Sequence, residues 1–400
     1  MSTFHQRLPE TLRQALLCLL TVSSWAKGSE LASEFKLARE NHIIIVDARR
    51  AIDSNGERID GEPLWVANVL PGAPGPAVGR DLELERRSLP TRIIVIFVHG
   101  YQTPPTLALE DSNALWKHIK ESNEELRKVQ PEIPETDSLA FFAFLWRGDF
   151  GVPNFSRSQQ AAKGTASSFV DFLETILLEA KGAKIVVITH SLGAEVVLEA
   201  LASLPSLNGR TLVDSLILVQ GAVPFYSVYR WTVSTDMVGV DVETTTEECS
   251  GRYATAIRST GQLLYTISGS DRVLWVPYLF HEIISPSESP CVMRNDTARA
   301  LGRPVDTRDG LEILPPVLKM PAPPYRPKSN AFPIVPPAGS VMMRFKNMQI
   351  SHPNAVSLSI DRYEDTSADL EGRMFSGHSV LFKSNGRYIV LDLWKRVVGQ

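Results

Sequence analysis

Cysteine is scarce in this chain of 400 residues: Cys18, Cys249 and Cys291 are the only three. They lie too far apart to form a metal knuckle or a redox pair. The eight histidines are just as scattered, so no metal site and no cofactor is expected. No apolar run is long enough to span a bilayer, so no transmembrane span is expected. The formal net charge is only -4, with acids and bases spread along the chain. That balance speaks against a dedicated nucleic-acid binder. No internal repeat is visible. Proline is plentiful, 27 residues in all, many of them in the stretch 304–337. The apolar fraction of 44% is ordinary for a globular protein. The length suits one large α/β domain with insertions, or two smaller domains.

Two readings of the N-terminus stay open. Arg7 and Arg13 precede a short apolar core at 15–22, and Ser23-Ser24-Trp25-Ala26, mostly small residues, follows. This resembles an export signal, whereas Pro9 and Glu10 suit the start of an amphipathic helix. The chain is accordingly either cytoplasmic or exported. If it is exported and the segment is cleaved, Cys249 and Cys291 remain as a candidate disulfide in an oxidising compartment.

Alternating strand and helix patterns run through the middle of the chain. Residues 1–40 form an N-terminal helix or signal-like segment, and 41–400 one α/β domain. Strands are expected at 42–47, 64–70, 92–98, 138–146, 184–190, 214–221, 262–268 and 356–361, from apolar and β-branched runs. The run at 92–98 is apolar almost without interruption, as suits a parallel strand buried on both faces. Helices are expected at 29–40, 107–129, 161–180, 195–204 and 273–284. Residues 51–62 and 71–76 read as polar and Pro/Gly-rich loops. The aromatic-rich stretch 222–250 has no clear period and is a candidate cap after the strand ending near Gly221. Residues 304–353 form a Pro-rich insertion, also without periodicity. The end of the chain, around 388–398, reads as an amphipathic helix or a hairpin. Strand–helix units repeated at least four times imply a mostly parallel sheet flanked by helices.

The chemistry centres on Thr189-His190-Ser191-Leu192-Gly193, between a strand and a helix. A serine on such a sharp turn stands at the carboxyl edge of the sheet, its hydroxyl pushed outward and a helix N-terminus behind it. Thr189 replaces the first glycine of the usual G-x-S-x-G pattern. The plainer alternative is an ordinary strand followed by a helix capped by Ser191. A serine nucleophile needs a base and an acid to orient that base. In an open α/β sheet both should follow strands. Asp271 follows the strand at 262–268, and His378 lies in a Ser-Gly-His-Ser loop after the last strand. The order Ser191, Asp271, His378 is the one that α/β-hydrolases use. Asp236 and Asp241 are weaker candidates for the acid. His352 is the serious alternative base; His281 falls inside a helix. Oxyanion donors are expected from the backbone N–H groups of Leu192 and of Tyr101, the latter in the turn His99-Gly100-Tyr101.

These residues resemble the α/β-hydrolase superfamily, and more narrowly a bacterial group of uncharacterised esterase/lipase-like hydrolases. The resemblance rests on 94–101, Leu145-Trp146, 188–194, 265–271 and Gly377-His378-Ser379, and covers about 92–382. It implies the α/β-hydrolase fold, with Ser191, Asp271 and His378 as catalytic triad and no cofactor. The expected activity is hydrolysis of small-molecule or lipid-like carboxylic esters through an acyl-enzyme. Acyl transfer on the same triad and a non-catalytic binding protein on this fold are the two alternatives. The chain departs from the group at Arg147-Gly148, where Pro-Ser is usual, and in the length of 304–353. Neither the substrate nor the oligomeric state is implied.

Overall fold

The computed structural model describes residues 42–61, 64–67, 92–151, 154–180, 182–204, 211–223, 225–237, 245–267, 310–314, 341–350, 352–359 and 378–399. The expected elements at 1–40, 71–76 and 273–284 lie outside these residues, as do Cys18, Asp241, Asp271, His281 and Cys291.

The apolar runs become the strands of one sheet: β1 (Ile43–Asp47), β2 (Trp65–Ala67), β3 (Ile93–Val98), β4 (Leu139–Leu145), β5 (Lys184–His190), β6 (Val213–Val219), β9 (Thr260–Ile267) and β12 (Ala355–Ser359). Their spatial order is β12-β9-β6-β5-β3-β4-β1-β2. All neighbours pair in parallel except β2, which runs antiparallel to β1. Every residue of β3, at the centre, is buried. Side chains of a strand alternate between faces, and each face has its own core. Ile94, Ile96 and Val98 join the core formed with α2 (Phe155–Glu179) and α3 (Gly193–Ser203). Ile93, Val95 and Phe97 join the core formed with α1 (Pro105–Arg127) and α4 (Gly386–Val398). Helices thus cover both faces, and the carboxyl ends of β3, β5 and β6 come together at one edge. None of the described helices is long and apolar enough to cross a membrane.

The structure moves one boundary, decides one open alternative and fills two stretches that had no clear period. The helix α2 begins at Phe155, ahead of the expected 161, because its polar first turn hides it from an apolar-period reading. The chain end is a helix, α4, and not a hairpin. The unreadable stretches 222–250 and 304–353 hold a second sheet. It contains β7 (Tyr229–Met237), β8 (Thr245–Ser250), β10 (Gly310–Leu314) and β11 (Val341–Ile350), antiparallel in the order β10-β11-β7-β8. Its base is tied down where the Gly251 N–H donates to the Tyr229 carbonyl at 2.8 Å and the Tyr253 N–H to the Ser227 carbonyl at 2.7 Å. Tyr229, Cys249 and Tyr253 pack into the same core as α3. Cys249 is disulfide-bonded.

Candidate active site

Strand β5 ends at His190, and Ser191 follows with φ +50. Left-handed backbone is uncommon for a residue with a side chain and persists only where the surroundings hold it. Here they do. The Ser191 N–H donates to the Val219 carbonyl at 3.0 Å, and its carbonyl accepts from the Ala222 N–H at 3.0 Å and the Ala194 N–H at 3.1 Å. The first two bonds lock the turn to the end of β6, and the third starts α3. No side chain caps α3, so Ser191 does not serve as its cap residue. Gly193 is required by contact: a Cβ there would lie 2.5 Å from the carbonyl oxygens of both Val98 and His99. Thr189, where a glycine is usual, is fully buried inside β5, with its hydroxyl 3.5 Å from the Ile217 carbonyl of β6. Its side chain is packed in the buried interior beside β6.

The loop after β3 lies against this elbow. A Cβ on Gly100 would stand 3.0 Å from the Cβ of Ser191 and 2.9 Å from Nδ1 of His190. His99 fixes the loop from below. Its Nε2 accepts from the Trp146 N–H at 3.1 Å, its Nδ1 is 2.9 Å from the Gly100 carbonyl, and its own carbonyl accepts from the Trp146 indole at 2.8 Å. Because a backbone N–H must donate to Nε2, the proton sits on Nδ1 and the ring is neutral. Burial, the largest cause, pushes its pKa down to about 4. The Tyr101 hydroxyl donates to the Gly151 carbonyl at 2.9 Å, and its ring meets Phe155 edge-on at 5.1 Å. The Gln102 N–H reaches the Gly148 carbonyl at 3.0 Å. The backbone of Tyr101 is therefore held from both sides. Leu192 immediately precedes α3, whose first N–H groups have no partner within the helix.

His378 is buried and stands just before a 3-10 turn, Val380–Phe382, that leads to α4. Nε2 of His190 donates to its carbonyl at 2.7 Å, and the two rings lie 4.7 Å apart. The structure so brings Ser191, the Gly100 loop and His378 together around His190. It separates His352 from them. Nε2 of His352 is 2.9 Å from the carbonyl of Thr260, the first residue of β9, so His352 sits at the amino edge of the sheet. Asp236 lies in β7 of the second sheet. Asp271 is outside the described residues. The sequence reading missed two residues, His99 as a brace of the loop and His190 as a neighbour of His378. The motifs contain both, but nothing local to either shows its distant partner.

Sheet order, helices on both faces and a left-handed serine between β5 and α3 make this an α/β-hydrolase fold. Residues 80–225 match the model of a family described as alpha/beta hydrolase of unknown function (DUF900). A search of curated proteins gives no match. Among solved structures, phospholipase PlaB from Legionella pneumophila is 13% identical, covering 77% of this chain and 62% of its own, with a TM-score of 0.32. The metagenomic carboxyl esterase MGS0156 is 14% identical, covering 72% and 84%, with a TM-score of 0.24. A Trichoderma reesei cutinase is 13% identical, covering 34% and 54%, with a TM-score of 0.21. The chain thus spans about half of the cutinase and less than two thirds of the phospholipase. Similarity at this level assigns no activity.

Proposed function

We propose that this protein is a serine hydrolase of carboxylic esters that works through an acyl-enzyme. The observation that carries the reading is Ser191 itself, held at φ +50 with the Gly100 loop against it and His378 beside its neighbour. In this reading Ser191 Oγ attacks the ester carbonyl carbon while His378 takes its proton. The negative oxygen that results is met by the N–H groups of Tyr101 and Leu192. Collapse of the intermediate breaks the ester C–O bond, and His378 returns the proton to the departing alcohol. Water then attacks the acyl-Ser191 ester by the same route, releasing the acid and free Ser191. Asp271 orients His378 and stabilises its charged form.

A fluorophosphonate probe tests the nucleophile. The wild-type protein should be labelled, and Ser191→Ala should not; labelling that survives the substitution sinks the assignment. A p-nitrophenyl ester series of increasing acyl length, run on the same pair, should show turnover by the wild type alone and reports the size of the acyl pocket.

A further inference from the structure

We propose that His190 is a positioning residue that holds the base-bearing loop against the nucleophile elbow. The inference rests on the reading of Ser191 and His378 as nucleophile and base. His190 is the last residue of β5 and is covalently joined to Ser191, so its backbone is as fixed as the sheet. Its imidazole is buried. Nε2 donates at 2.7 Å to the carbonyl of His378, a residue 188 positions further along the chain. The ring lies 4.7 Å from the ring of His378 and meets Phe382 edge-on at 5.0 Å. Phe382 in turn stands edge-on to Phe97 of β3 at 5.8 Å. On its other side the same imidazole fills the space that a side chain at position 100 would need, since a Cβ there would come within 2.9 Å of Nδ1. One ring thus touches the backbone of the proposed base and the proposed oxyanion loop, and belongs to the residue next to the proposed nucleophile.

The geometry gives this contact a use. His378 is reached by the chain only after a connection from another part of the sheet, and its side chain must stay within hydrogen-bond reach of Ser191 through the whole reaction. A hydrogen bond to its carbonyl from the residue beside Ser191 ties the two directly. In a buried site such a bond is stronger than in water. Nothing in this role requires His190 to exchange a proton with substrate. Its loss should therefore slow the chemical step and leave substrate binding alone, because a displacement of about 1 Å can cost on the order of 100-fold in rate.

Three substitutions test the inference. Glutamine carries an amide N–H at about the reach of Nε2; asparagine reaches only as far as Nδ1; leucine fills the space without a donor. His190→Gln should keep kcat within about 3-fold of wild type, while His190→Asn and His190→Leu should lose about 10- to 100-fold in kcat with KM nearly unchanged. The fluorophosphonate labelling rate should fall in the same order. Far-UV circular dichroism and the thermal midpoint, read on each variant, check folding. If His190→Leu does not fold, the glutamine and asparagine variants decide: equal kcat in the two overturns the inference. Wild-type kcat in His190→Leu overturns it as well, and so does a loss that appears only in KM. Absence of labelling in the wild type, or labelling that survives in Ser191→Ala, instead removes the underlying reading. The two failures are therefore distinct.

Discussion

Single atoms at the elbow decide how much change it tolerates. At Gly193 an added methyl meets two backbone carbonyl oxygens at 2.5 Å, those of Val98 and His99, and neither can retreat without moving the end of β3. Gly193→Ala should cost about 1–3 kcal/mol in urea unfolding, the range for forced overpacking, and should abolish fluorophosphonate labelling. At Gly100 the methyl meets Nδ1 of His190 at 2.9 Å, the Cβ of Ser191 at 3.0 Å and the His190 carbonyl oxygen at 3.3 Å, all looser than the 2.5 Å contacts at Gly193. Gly100→Ala should therefore stay folded while its labelling slows. His99 supplies a pH signature. Its folded-state pKa of about 4 lies below the ordinary 6.5, so the unfolded chain binds more protons between these values. The stability contributed by neutral His99 is complete above about pH 6.5 and is lost as pH falls toward 4, by about 3 kcal/mol in all at about 1.4 kcal/mol per pH unit. Urea unfolding between pH 7 and pH 4 should show this slope, and His99→Asn should be less stable at pH 7 but flatter in pH. The elbow at Ser191 and the turn at Gly100 were legible because each is a short local pattern directly after a strand, β5 and β3. The contacts of His99 and His190 were not, because Trp146 and His378 lie 47 and 188 residues away from them in the chain.

Elements were legible where one physical signal dominated. The strands β3, β4, β5 and β6 are apolar on both faces because helices cover both faces, and an uninterrupted apolar run records that burial directly. Strand β11 carries no such record. Its pairing with β7 shifts register between Lys346 and Gln349. Such an irregularity breaks the two-residue period by which a strand is recognised. The second sheet was therefore hidden, although it occupies both stretches that resisted reading. Helix α4 was half legible, as an amphipathic end that could be helix or hairpin. Its partner explains the outcome: Trp394, almost wholly buried, donates from its indole to Asn123 Oδ1 on α1 at 3.0 Å. Asn123 also donates from Nδ2 to the Pro134 carbonyl at 2.9 Å. The two helices form one face of the molecule, and His118 of α1 lies 3.0 Å from the Lys383 carbonyl just ahead of α4. Trp394→Ala should cost about 3–5 kcal/mol by urea unfolding. Trp394→Phe keeps most of the ring and leaves Asn123 Oδ1 short of a donor, so it should cost about 1–3 kcal/mol.

At the scale of the whole molecule, two insertions build one structure. Strands β7 and β8 leave the main sheet after β6, and β10 and β11 leave it after β9, yet β7 and β11 are neighbours in the second sheet. Pairing segments so far apart along the chain costs closure entropy, and a covalent link that restricts the unfolded chain offsets it. Cys249 lies on β8 directly opposite Trp231 of β7, is buried against the core shared with α3, and is disulfide-bonded. The chain holds two other cysteines, Cys18 and Cys291. The link should contribute about 2–5 kcal/mol, as native disulfides commonly do. Reduction under native conditions should therefore lower the thermal midpoint, and Cys249→Ser should lower it by a similar amount without further loss on reduction. Peptide mapping without reductant then identifies the partner cysteine. Equal midpoints for the oxidised and reduced protein would show that the second sheet holds by its ladders and its packing against α3 alone. Because the elbow at Ser191 is fixed by β6 and β3 rather than by this sheet, reduction should leave the fluorophosphonate labelling rate unchanged below the lowered midpoint. A parallel loss of labelling would show instead that the stability of the second sheet reaches the site.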